Sequence, residues 1–196
     1  LYHVVLGAAQ FEVIWAVEDK GFNPNTFGQI NGWIFVVFGV LGSLFGGIAS
    51  DWTLRKYNLP RTWFLLILTL LFMPLAFTRY LDTDSILFWV GICSSAFSLG
   101  CFYGPVFAVI QELVPPTIKG TGVAFNLLCL NMLGIALGSI LFGILADYAV
   151  TQGYENPYTN LLVGFSCVFL VFGPILYYLA GRFYEQDKKA LIEKFN

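Results

Sequence analysis

Few side chains in this sequence can do chemistry, and they fall into two groups. The first lies within long apolar stretches: His3, Gln10 and Glu12 near the start, Tyr103 with Ser94, Ser95 and Ser98 further on, then Asn126 and Asn131. A carboxylate in an apolar stretch is a functional candidate by default and suits a proton carrier. Glu12 also lies close enough to the end of its stretch to reach water along its own side chain. A histidine titrates near neutral pH, so His3 could bind a proton, or it could simply be a packed residue with its bonds satisfied. Asn126 and Asn131 could contact a solute or bond to a neighbouring helix. The second group, Asp51, Arg55, Glu112 and Lys119, stands where apolar stretches end. Opposite charges in one such layer can form a network that holds or releases helix ends.

The stretches that position these residues are spans of a membrane. The chain has 196 residues, of which 58% are hydrophobic and 11% charged, and Phe alone occurs 20 times. Soluble domains carry roughly 25% charged residues, and a disordered chain could not hold so much apolar surface in water. A nucleic-acid binder would need a basic surplus, whereas the net charge is -2. A bilayer core about 30 Å thick takes about 20 apolar residues per helix. The polar punctuation leaves six such blocks, at residues 1–17, 28–50, 62–78, 86–112, 121–145 and 160–181. They are continuously apolar rather than alternating, which argues against a membrane β-barrel. The expectation is therefore an all-α, polytopic membrane protein, with a six-span bundle over residues 1–182 and a cytoplasmic tail over 183–196. The first span is short and starts with Leu1, so it reads as a helix whose upstream part lies outside the sequence. No basic leader region or cleavage site marks it as a signal peptide.

Orientation follows from the basic residues. Arg55, Lys56, Arg61, Lys119, Arg182, Lys188, Lys189 and Lys194 fall on one face, and only Lys20 and Arg79 on the other. The positive-inside rule makes the first face cytoplasmic, together with the C-terminus, in the cell (inner) membrane. The other face is acidic, with Glu18, Asp19, Asp82, Asp84, Asp147 and Glu155. Cys93, Cys101, Cys129 and Cys167 lie within spans, where they pack as small hydrophobes. No disulfide or metal spacing appears, and neither a metal nor another cofactor is expected.

Three segments carry a family signature. Gly47-Ile48-Ala49-Ser50-Asp51-Trp52-Thr53-Leu54-Arg55-Lys56 links the second and third spans. It resembles motif A of the major facilitator superfamily, with Gly47, Asp51, Arg55 and Lys56 matching, while Trp52 and Leu54 depart from the pattern. Glu112, Pro115, Pro116 and Lys119-Gly120 resemble the family's link between its tenth and eleventh helices. Gly134-x-x-x-Gly138-Ser139-x-x-x-Gly143 resembles a degenerate motif C, with Ser139 where a proline would stand. Gly28-x-x-x-Gly32, Gly42-x-x-x-Gly46 and Gly100-x-x-x-Gly104 are further pairs that suit close helix approach. In this order the segments resemble the C-terminal half of such a transporter, helices seven to twelve. The run Gly104-Pro105-Val106-Phe107-Ala108 to Pro116 is similar to the spinster-like lipid exporters.

The resemblance implies half of a secondary active transporter that moves a small organic or amphipathic, lipid-like solute by alternating access. It implies an N-terminal six-helix half as partner, with the substrate cavity between the halves and membrane lipid around both. It gives Asp51, Arg55, Glu112 and Lys119 a gating role. A proton-coupled drug or metabolite exporter of another branch, or a non-transporting membrane scaffold, are the rival readings. A channel would need a filter or a charged pore ring, and neither is found. A membrane enzyme would need clustered His, Asp or Cys, which the sequence does not supply.

Overall fold

The computed structural model describes residues 1–195. Asn196 and the side chains of Glu185, Leu191, Ile192, Lys194 and Phe195 lie outside the described residues. Every regular element among the described residues is helical: α1 (Tyr2–Ala9), α2 (Glu12–Glu18), α3 (Pro24–Tyr57), α4 (Arg61–Phe77), α5 (Ile86–Glu112), α6 (Lys119–Cys129), α7 (Leu137–Thr151) and α8 (Pro157–Phe195). A π-helical segment, Leu130–Ala136, joins α6 to α7 without a break. Pro24–Tyr57, Arg61–Tyr80, Ile86–Glu112, Pro116–Thr151 and Pro157–Ala190 are each long and apolar enough to cross a membrane.

The helix starts are written in the local sequence. Asn23 accepts from the backbone N–H groups of Asn25 and Thr26 at 3.0 and 3.2 Å, ahead of Pro24 in the first helical position. Its short side chain satisfies orphan donors, and proline has no N–H to lose there. Ser85 caps α5 through the N–H of Leu87. Pro74, Pro105 and Pro174 sit inside helices that continue through them.

The first expected span is divided. Gln10 and Phe11 donate to Gly7 and Ala8, three residues back, and the helix resumes at Glu12. This tightening gives two short helices in place of one. It also makes Glu12 the first residue of α2, where the helix dipole favours a negative charge.

Helix α5 packs between α3 and α4, α4 also packs on α8, and α1 lies against α8 and the α6–α7 helix. Glycines set the close crossings. A Cβ on Gly7 would strike the backbone of Ile135, Gly138 and Ser139, and one on Gly42 or Gly46 would strike that of α5. Gly28 and Gly32, by contrast, face open space, so this small-residue pair joins nothing within the chain. Tail and last span form one continuous helix: α8 has 39 residues, roughly 58 Å at 1.5 Å each. The side chains of Leu191, Ile192 and Phe195, which mix with charges in the tail sequence, lie outside the described residues.

Candidate functional site

Two polar sites emerge, one near each end of the bundle. The ends are named here by their links: the acidic end holds the α2–α3, α4–α5 and α7–α8 links, and the basic end holds α3–α4 and α5–α6.

The first site is a narrow, partly open cavity of about 70 Å³ towards the acidic end. It has room for only a few water molecules. Its polar lining is Glu12, Arg79, Tyr80, Ser95, Ser98 and Ser166. Glu12 does not reach out to water. It is 4% exposed, and its Oε1 accepts from Arg79 at 3.0 Å while Oε2 accepts from Asn31 at 3.2 Å. Arg79 is displaced from its expected place in an outer loop: a 3-10 turn over Thr78–Tyr80 follows α4 and turns the guanidinium inward, leaving the residue 7% exposed. Gly91 on α5 makes room for it, since a Cβ there would strike the Arg79 backbone. Arg79 also donates to the Tyr80 hydroxyl at 2.7 Å, which pairs with Ser166 of α8 at 3.1 Å. The chain from Glu12 to Ser166 thus ties α2, the 3-10 turn after α4 and α8 together. A carboxylate taken out of water needs such a counter-charge, and losing it costs about 3–5 kcal/mol.

The other span candidates separate from Glu12. His3 is 4% exposed, packs on Gly134 of the π segment and lies 3.4 Å from the Tyr103 hydroxyl. Gln10 is exposed at the α1–α2 junction. Asn131 is exposed and bonds back to the Leu127 carbonyl of its own helix. Asn126 is half-buried and its buried Nδ2 has no partner among the described residues. A π segment exposes a local irregularity of the backbone, often at functional sites, and this one carries both Asn131 and the glycine that receives His3.

The second site is ionic and sits at the basic end. Arg61 donates to Asp51 at 2.8 Å and to Glu112, which in turn accepts from the Tyr184 hydroxyl and has the Lys188 ammonium 3.9 Å away. The ends of α3, α4 and α5 meet there, and α8 passes beside them at Tyr184 and Lys188. Asp51 and Glu112 therefore come together as expected, but their shared cation is Arg61. Arg55 and Lys119 are exposed and make no ion pair among the described residues. The reason is geometric. Arg61 is the first residue of α4, directly between the α3 and α5 ends, whereas Arg55 lies on the outer face of α3 beside Trp52 and Lys56, and Lys119 begins α6.

This second network is poised rather than fixed. Arg61 sits at a helix N-terminus and Glu112 at a helix C-terminus, the ends at which the dipole opposes each charge by about 0.3–1 kcal/mol. The mutual pairing offsets that opposition. The Asp51 side chain is also 50% exposed, so water competes for it.

Sequence reasoning missed Arg61, Arg79 and Tyr184. Arg61 was one of eight basic residues on its face and had no motif to single it out. Arg79 carried a faint signal: a cation set between Phe77 and Tyr80 has aromatic neighbours on both sides.

Comparison with known proteins gives one finding. The family model of the Major Facilitator Superfamily matches residues 4–139, well over half of the chain. No curated protein and no solved structure gives a match. The matched stretch runs from α1 into α7, and it includes most of the cavity wall and the motif A segment. This all-helical, membrane-spanning chain belongs to the Major Facilitator Superfamily, a family of membrane transporters.

Proposed function

We propose that this chain forms the C-terminal half of a secondary active transporter working by alternating access. The observation that carries the reading is the ionic network at the basic end. Asp51, Arg61 and Glu112 join the ends of three spans by contacts that water can replace, while the acidic end is held by packing. Transporters of repeated architecture move by rocking packed units around a midplane site. A network that can close and open at one end is what such a cycle requires. Arg61 takes the central place in the gate; Arg55 and Lys119 flank it at the same layer as auxiliary cations.

The solute is a small organic or amphipathic molecule. The polar groups offered to it are those outside the cavity: Gln10, Asn126 and Asn131 on exposed or half-exposed faces, together with the paired His3 and Tyr103. The partner is a first six-helix half, for which the unused pair Gly28 and Gly32 and the exposed stripe Trp33, Val37, Val40, Leu44 and Ile48 offer an apolar face. The eight basic residues on one face support a cytoplasmic C-terminus and a place in the cell (inner) membrane. Glu12 is the candidate coupling group, now with Arg79 as its partner. A lipid-like solute of the spinster type rests on the Gly104–Pro116 resemblance; a proton-coupled exporter of another branch rests on Glu12.

Saturable counterflow in vesicles carrying the intact protein tests the reading. Trans-stimulated uptake of an amphipathic solute supports a carrier. Uptake that is neither saturable nor trans-stimulated for any solute in a panel of lipids, drugs and metabolites refutes it.

A further inference from the structure

The ionic network has a member that the motif resemblance does not supply. Tyr184 lies on the part of α8 that runs past its apolar span, yet it is only 2% exposed. Its hydroxyl donates to Oε2 of Glu112, the oxygen that Lys188 approaches from the next turn. Oε1 of the same carboxylate takes Arg61. The two oxygens are thus divided: one faces α4, the other faces the tail. Lys188 also stands over the Tyr184 ring, 5.5 Å from its centroid, so both tail contacts form one unit. At the end of α5, Glu112 has no favourable dipole to hold it, and its carboxylate can rotate unless something fixes one oxygen.

We infer that Tyr184 is a positioning residue of the gate: the α8 extension holds Glu112 so that its other oxygen meets Arg61. The consequence is a link between the tail and the gate. Loss of the tail contact lets the carboxylate turn to water, and Arg61 keeps only half-exposed Asp51. The inference rests on reading the basic-end network as a gate, but its own test reads proximity rather than transport.

The test is zero-length carbodiimide cross-linking in native membranes, followed by mass spectrometry of the Glu112 and Lys188 peptides. Both side chains are partly exposed, at 25% and 37%, so the reagent can reach them. The intact wild-type protein is expected to give a Glu112–Lys188 cross-link. Tyr184→Phe keeps the ring and its packing and removes only the hydroxyl. It should lower the yield about tenfold, the order of one hydrogen bond to a charged group. Tyr184→Leu, which also loses the ring, should lower it no less. Arg55→Gln should leave it unchanged. A wild-type protein with no cross-link overturns the inference. So does a Tyr184→Phe protein with wild-type yield, because the residue would then serve packing alone. Failure of the gate reading is seen elsewhere, as undiminished counterflow in Asp51→Asn protein that still cross-links.

Discussion

The bundle holds two carboxylate–guanidinium sites of the same chemistry, and burial makes them different devices. Glu12 and Arg79 have side chains 5% and 8% exposed. Asn31 gives Glu12 a second bond, and the Tyr80 hydroxyl, itself paired with Ser166, gives Arg79 a second. Around them the acidic end is packed by Trp15, Phe27, Phe88, Phe142 and Leu162, all essentially without exposure. Trp15 donates to Thr159 at 2.8 Å, and Lys20 covers the carbonyls of Tyr80 and Leu81. Asp51 and Arg61 are 50% and 12% exposed, at a boundary where water is an alternative partner. A pair sealed among aromatic rings cannot open without leaving two desolvated charges. Half-exposed Asp51 can exchange Arg61 for water at a smaller cost, nearer the roughly 0–1 kcal/mol of exposed pairs. One site therefore fixes the fold of its end, and the other can switch.

The largest effect is expected from breaking the sealed pair. Arg79→Leu should destabilise the protein by about 3–5 kcal/mol, because Glu12 is left buried and unpaired. Adding Glu12→Gln should recover most of that loss, as thermal unfolding in detergent would show. If the single variant is as stable as wild type, the pair is not sealed. Next comes Trp15→Ala, at about 3 kcal/mol or more from lost packing and a lost hydrogen bond. In lipid, packing rather than water exclusion supplies this term, so unfolding should show it without any salt dependence.

At the basic end the expected effects shift from stability to function. Asp51→Asn should slow or abolish counterflow while changing stability by less than about 1 kcal/mol. Normal membrane insertion with lost transport is the predicted result. The smallest effect belongs to Arg55→Gln. Its side chain makes no ion pair among the described residues, so stability should stay within about 0.5 kcal/mol, and transport, with only an auxiliary cation lost, should fall less than in Arg61→Gln. A larger loss for Arg55→Gln than for Arg61→Gln would reverse the assignment of the central cation.

These contrasts also show what the sequence could carry. The five long helices, their order and their turns are local matters. Runs of apolar residues, Asn23 and Ser85 as caps, and the Asp51 and Glu112 motifs could all be read along the chain. Partners across the bundle could not. Arg61 and Arg79 were counted as loop cations because their positions beside a span end say nothing about which way the side chain turns. The inward turn of Arg79 depends on Gly91 on another helix, and Tyr184 meets Glu112 across a separation of 72 residues. The break at Gln10–Phe11 was equally hidden, because no proline or glycine marks it.

The central claim is that the two ends are held by different forces and that only the basic end opens readily. Hydrogen exchange followed by mass spectrometry on the intact protein, wild type against Arg61→Gln, tests it most directly. Exchange reports local opening free energies segment by segment. The account predicts that amides of residues 108–116 and 178–186 exchange at least about tenfold faster in Arg61→Gln, as the charge-assisted bonds to Asp51 and Glu112 are lost together, while residues 12–20 and 158–166 are unchanged. Equal acceleration at both ends, or none at the basic end, would contradict it.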